Sequence, residues 1–176
     1  EIINVATASS VPTRGYTFSN SRFRWEGQDL SKETLFRAQI VGYDYFSTLN
    51  IQFKEGRTFS RDYASDTLSF ILNEAAAKAI GYTEPIGKKI WTDGVNDGNV
   101  IYTIIGIVKD YNFRSLHADI EPQITLFRPN RYIAILKINV NELESVIEKT
   151  SVLWDKYSNG RTLDIQFLDE SLANLY

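Results

Sequence analysis

The chain has 176 residues, 43% hydrophobic, 13% aromatic and 23% charged, with a formal net charge of -3. This is the composition of one folded domain, or of two small lobes sharing a core, and it lacks the clustered Lys/Arg footprint that a nucleic-acid partner requires. The absence of cysteine excludes disulfides, thiolate metal sites and a cysteine nucleophile, and no apolar run approaches the roughly 20 residues of a membrane span.

Residues 1–10 (EIINVATASS) open in strand-forming residues, with Ile3, Val5 and Thr7 along one face. The chain has no methionine and no signal-peptide pattern, and it starts in mid-strand; more chain is expected before Glu1. Residues 12–21 are rich in Thr, Gly, Ser and Asn and predict a loop. Short strands are predicted at 23–27 and 35–41. Asp44 is placed to cap a short helix running through Thr48. Residues 49–59 read as an extended piece with a turn at Glu55-Gly56, and residues 60–67 as polar and exposed.

A brief strand at 69–72 leads into an alanine-rich helix, with Asn73 as N-cap and Gly81 in the C′ place. Pro85-Ile86-Gly87 marks a turn before a strand at 88–92. Residues 93–99 (DGVNDGN) hold two Asp-Gly pairs, a hairpin signal. They feed residues 100–108 (VIYTIIGIV), which are apolar on both faces and predict a central strand buried on two sides. Gly106 inside that run marks a bulge or a close backbone approach. A short strand follows at 123–127.

The last third changes rhythm. Residues 132–138 (YIAILKI) read as a buried strand, and Asn141 with Glu144 forms a capping box. Leu143, Val146, Ile147, Thr150, Leu153, Trp154 and Tyr157 then fall on one helical stripe. Leu163, Ile165 and Phe167 alternate as a strand, completing a β-α-β unit with parallel strands and a right-handed crossover. Asp169 is placed to start a last helix. There is no internal repeat.

Candidate chemistry is sparse. Residues 81–89 (GYTEPIGKK) depart from a phosphate-binding loop: five residues separate the glycines, Pro85 lies inside, and Lys89 stands where a hydroxyl is needed. A helix C-cap and a turn explain them better. His117 is the one histidine and cannot build the usual zinc sites alone. Asp93 and Asp97 flank a glycine-rich turn without the calcium-loop pattern. Asp110, Asp169 and Glu170 lie nearest strand ends, where paired carboxylates do acid–base work, but carboxylates there more often cap helices. Of the tryptophans, Trp154 belongs to the helix stripe and reads as core, and Trp25 and Trp91 read as surface. No catalytic, cofactor-binding or metal-binding residue follows from these residues.

Several stretches taken together resemble the MacB-like periplasmic core domain, found between the first two membrane spans of MacB/FtsX-type ABC transporter permeases. They are residues 41–49 (VGYDYFSTL), 55–59 (EGRTF), 71–78 (ILNEAAAK) and 85–88 (PIGK). Residues 104–110 (IIGIVKD) follow, with Phe113, Ser115 and Leu116, and then residues 167–170 (FLDE). Residues 1–40 match loosely. The resemblance implies an α+β fold: a porter-like β-α-β lobe of residues 1–15 and 129–176, with a strand-rich lobe of mixed sheet, residues 16–128, inserted into it. It further implies a non-catalytic, cofactor-free extracytoplasmic domain at the periplasmic face of the bacterial inner membrane. Such a domain relays ATP-driven conformational change to cargo or periplasmic partners. The implied partners are the transmembrane helices of the permease and a cytoplasmic ATPase, with a periplasmic adaptor or lipidic or peptide cargo as further candidates. The parent would be a homodimer or pseudo-dimer. Two alternatives remain on the residues alone: a free-standing secreted ligand-binding or adhesion module, and a small hydrolase using Asp110 or Asp169.

Overall fold

The computed structural model describes residues 2–11, 15–20, 22–92, 99–111, 119–128 and 133–168. Strands β1 (Ile2–Ala8), β2 (Phe18–Asn20), β3 (Phe23–Trp25) and β4 (Phe36–Val41) precede helix α1 (Tyr45–Thr48). Strands β5 (Phe53–Gly56) and β6 (Ser69–Asn73) precede helix α2 (Glu74–Ile80). Strands β7 (Lys89–Thr92), β8 (Ile101–Val108), β9 (Gln123–Phe127) and β10 (Ile133–Ile138) precede helix α3 (Leu143–Tyr157). All ten strands belong to one sheet, ordered β10-β1-β4-β9-β6-β8-β7-β3, with β2 added on β4 and β5 on β8. The β4–β9 and β6–β8 pairs are parallel and the others antiparallel. The fold is α+β with a mixed sheet, as the sequence predicts. No helix among the described residues is long and apolar enough to cross a membrane.

The sheet is buried on both faces because its middle strands carry large side chains on both. In β6 every residue is buried. Phe70 and Leu72 point into one cluster with Phe23, Phe36, Tyr102, Ile104 and Ile124, capped by Ala76 and Ile80 of α2. Ile71, between them, points into a second cluster with Val41, Val108, Phe127 and Tyr45 and Phe46 of α1. Alternation along a strand sends neighbours to opposite faces, so a strand in the middle of two covered faces must be apolar throughout. In the first cluster Phe23 stands edge-on to Phe36 and Phe70 at 5.9 and 5.3 Å, and Phe70 stacks on Tyr102 at 4.1 Å.

Strand β8 is internal, as predicted, but buried on both faces only at its C-terminal end; Ile101 is 55% exposed. Gly106 is both a bulge and a close approach. Opposite β6 the pairing runs from Phe70↔Ile104 to Ile71↔Gly106, leaving Ile105 as the extra residue. The N-cap of α2 is also as predicted: Asn73 accepts from the Ala76 N–H at 2.9 Å, and Gly81 closes the helix at φ 80°.

Several expectations are corrected. The strand expected as buried at 132–138 forms as β10, but none of its residues is fully buried. Asp44 precedes α1 without capping it; it sits at φ 63°, and its carboxylate meets Arg61 at 3.2 Å, whose guanidinium lies 4.3 Å from the Tyr43 ring centroid. The capping box of Asn141 and Glu144 is not formed. A 3-10 turn at Val140–Glu142 intervenes, and Asn139 supplies the side-chain cap by accepting from the Asn141 N–H at 3.1 Å. Residues 161–167 form no strand, so the β-α-β unit lacks its third element. The Trp154 indole N–H donates to the Arg161 carbonyl at 2.5 Å, holding that returning segment at the end of α3, and β10 pairs with β1, antiparallel. Residues 60–67 are not uniformly exposed, because Asp66 is wholly buried. Residues 93–98 of the hairpin turn expected at 93–99, and the helix expected from Asp169, lie outside the described residues.

Burial of Tyr45 at the centre of the second cluster pushes its phenol well above its ordinary 10.0. The folded chain therefore keeps Tyr45 neutral at a pH where the unfolded chain ionises it. The stability it contributes is complete below pH 10 and is lost as pH rises above it, at up to about 1.4 kcal/mol per pH unit. Tyr45→Phe removes this term and should shift alkaline unfolding upward, by roughly half a pH unit or more. Guanidinium unfolding followed from pH 7 to 11 checks it; parallel losses in both proteins above pH 10 would contradict it.

Candidate functional site

The chemistry-bearing residues singled out from the sequence are, where described, occupied with structure. Asp110 follows β8 and reaches the start of α2, where its carboxylate accepts from the Ala75 N–H at 3.1 Å while its own N–H donates to Glu74 at 3.2 Å. Glu74 in turn holds Lys54 at 2.6 Å. The Lys54 ammonium and the Asp110 N–H keep the Glu74 carboxyl below its ordinary value. Asp110 is thus a helix cap supplied from a distant strand, as its sequence position allowed.

Residues 81–89 form a helix end and a turn. Lys88 N–H donates to the Pro85 carbonyl at 3.1 Å and Gly87 N–H to the Ile104 carbonyl at 2.7 Å, while the Lys89 ammonium reaches the Thr103 hydroxyl at 2.6 Å. The Gly81, Gly87 and Lys88 N–H groups are therefore already paired, with the end of α2, with β8 and within the turn. Asp93, Asp97, His117, Asp169 and Glu170 lie outside the described residues. Among the described residues there is no group of three metal-capable side chains.

Trp25 and Trp154 exchange their expected places, while Trp91, expected at the surface, is half-buried. Trp25 is 6% exposed, packed edge-on against Phe36 at 5.7 Å, because β3 closes over the first cluster. Trp154, placed in the core by the helix stripe, is exposed, and so are Leu153 and Tyr157 beside it. Val146 is the only residue of α3 that is buried. The stripe is real, but only its first half is covered.

This uncovered half is the feature most suited to contact with something else. Thr150, Leu153, Trp154, Tyr157 and the return through Ser158, Asn159 and Arg161 line an open groove of about 420 Å³. Lys149 and Lys156 are exposed along one flank. Elsewhere, Ile2, Ile3 and Val5 of β1 are also exposed. Exposed apolar surface in one place is what a binding face presents. The sequence carried half of this signal: the stripe was legible, its lack of cover was not.

The β1–β10 ribbon, which leads into α3 along the chain, joins the rest of the sheet narrowly. β1 meets β4 at Ala8↔Val41 alone, flanked by Ser9 N–H to the Ile40 carbonyl at 3.0 Å and Gly42 N–H to the Thr7 carbonyl at 2.8 Å. Helix α1 braces the ribbon: Tyr45 and Phe46 share a cluster with Ala6 and Ala8, and Lys137 reaches Asn50 at 2.6 Å.

Comparison with known proteins agrees with this architecture. The family model of the MacB-like periplasmic core domain matches residues 3–151. Among solved structures, the chain is similar to the periplasmic region of MacB from Actinobacillus actinomycetemcomitans, at 19% identity and TM-score 0.58, over 89% of this chain and 68% of that one. It is similar to the extracellular domain of the ABC-type transporter YknZ from Gram-positive bacteria, at 15% identity and TM-score 0.60, over 89% and 77%. A domain from a protein described as a permease, from Porphyromonas gingivalis, matches at 14% identity and TM-score 0.58, over 99% and 83%. At these identities the likeness is one of fold. No curated protein sequence matches the chain.

Proposed function

The chain belongs to the MacB-like periplasmic core domain family, and from that membership we propose that it relays ATP-driven motion of an ABC permease to cargo or partners outside the membrane, with no catalysis of its own. The family match over residues 3–151 carries this reading. Its finer parts are that the chain lies at the extracytoplasmic face of the inner membrane, joined to the transmembrane helices of a permease that works with a cytoplasmic ATPase. A relay needs a stiff body and a joint that transmits force. A sheet packed on both faces is consistent with the first, since close-packed interiors transmit strain.

The two-lobe organisation, residues 1–15 and 129–176 against residues 16–128, belongs to the same proposal. What supports it is the single-residue ladder between β1 and β4 and the brace through α1. The shared cluster of Ala6, Ala8, Tyr45 and Phe46 favours lobes that move together rather than swing freely.

The test is the parent reading frame, translated about 60 codons to either side. Apolar spans of roughly 20 residues on both sides are the expected result. A cleavable leader with no spans would replace the permease reading with a secreted binding module.

A further inference from the structure

Leu143, Thr150 and Tyr157 recur every seven residues along α3, with Val146 and Leu153 three places after the first two and Ile147 and Trp154 widening the seam. This is the spacing by which one helix lies along another. In the first half of the seam Val146 is 8% exposed and Leu143 and Ile147 are half-buried; in the second half Leu153 is 57% and Tyr157 70% exposed. Lys149 and Lys156, also seven apart and both exposed, edge the seam on one side.

We propose that the C-terminal half of α3 receives an amphipathic helix from the remainder of the parent permease polypeptide, with acidic residues along the edge that faces Lys149 and Lys156. This rests on the permease reading. The alternatives fit the observations less well. A bilayer surface favours a basic polar face, whereas α3 mixes Glu144, Glu148 and Asp155 with its lysines. A second copy docked antiparallel through the same seam would set Lys149 and Lys156 against their own counterparts. A separate protein would gain only about two helical turns of contact, well short of the roughly 1,200 Å² of a stable interface. A helix on the same polypeptide docks at an effective concentration of millimolar order and needs no larger surface. The three solved relatives also have polypeptide to spare: this chain covers 68%, 77% and 83% of them, so each carries chain with no counterpart here.

The chain lacks cysteine, so single cysteines report on the face directly. Leu153→Cys and Tyr157→Cys, with Asp155→Cys on the opposite side as control, are made in the 176-residue chain and in the parent. Maleimide labelling at positions 153 and 157 should be at least about tenfold slower in the parent than in the chain alone, and equal in the two at position 155. Adding Lys149→Glu and Lys156→Glu should restore much of the lost labelling in the parent. Equal labelling at 153 and 157 in both settings overturns the proposal. So does protection of the isolated chain by phosphatidylcholine–phosphatidylglycerol vesicles, or by raising its own concentration. Unchanged protection after the lysine reversals overturns the acidic edge. A parent without membrane spans would remove the permease reading itself, an outcome separate from these.

Discussion

Gly56→Ala is expected to lower the thermal unfolding midpoint by roughly 6–12 °C, from a loss of about 3 kcal/mol. Strands β5 and β8 meet at the pair Gly56↔Gly106, with register shifts on both sides of the meeting point. Gly56 has φ 76°, and a Cβ there would lie 2.3 Å from the Ile105 carbonyl oxygen and 2.8 Å from Gly106 Cα. A Cβ on Gly106 would in turn meet the Arg57 carbonyl oxygen at 2.5 Å. The obstructing atoms are backbone held in a ladder, so they cannot turn aside as a side chain would. Left-handed backbone costs an alanine about 1–2 kcal/mol, and forcing an extra carbon into a packed site costs about 1–3 more. Gly81→Ala separates the two terms. Gly81 has φ 80°, and a Cβ there would find no heavy atom within 4 Å, so it should show the backbone term alone. Equal losses for the two substitutions, in thermal or urea unfolding, would mean that the close approach of β5 to β8 is not what requires Gly56.

That junction was half visible in the sequence. A glycine in the middle of a β-branched run has few explanations, so Gly106 is legible as a bulge or close approach from the residues around it. Its partner is not, because Gly56 reads equally well as an ordinary turn and nothing local ties it to a residue 50 positions away. The same contrast runs through the chain. Asn73 and Gly81 were legible because a cap acts within three residues of itself. The cap that Asp110 gives to α2 spans 35 residues, and no local pattern announces it. Polar character misled for residues 60–67, where Asp66 is buried by a cation nine positions earlier.

The tryptophans show the limit most clearly. A helix stripe says which face of α3 is apolar, and it does so correctly for Trp154, but it does not say that a partner surface is present. Trp25 lies in a three-residue strand too short to show alternation, and it is buried because β3 lies over Phe36. The candidate surface therefore emerges where pattern and burial disagree: residues whose spacing belongs to a core, and that the fold leaves exposed, are where contact is owed. By that criterion the surface is the far half of α3.

Arg57→Ala is expected to cost about 4 kcal/mol, and Asp66→Ala about 3, an inequality that follows from where the two side chains lie. Asp66 is wholly buried in the 3-10 turn at Ala64–Leu68. Its two oxygens accept from Arg57 at 2.7 and 2.9 Å, and one also accepts from the Ser60 N–H at 2.8 Å. Arg57 is 35% exposed and also covers the Tyr63 ring at 3.9 Å. Removing Asp66 leaves a guanidinium that can turn toward water, plus one unpaired N–H; removing Arg57 leaves a carboxylate that cannot reach water without opening the turn. The pair is bidentate, so Arg57→Lys should recover less than half of the loss. Urea unfolding of both single variants and the double variant would give the coupling, expected to exceed about 2 kcal/mol. Losses below about 1 kcal/mol in both single variants would mean that the burial of Asp66 is not held by Arg57. Because Arg57 directly follows β5 and its N–H donates to the Ile105 carbonyl at 3.0 Å, losing the pair should loosen the junction at Gly56 and Gly106 as well. Amide exchange in β5 should then accelerate in Asp66→Ala while β6 and β9 stay protected.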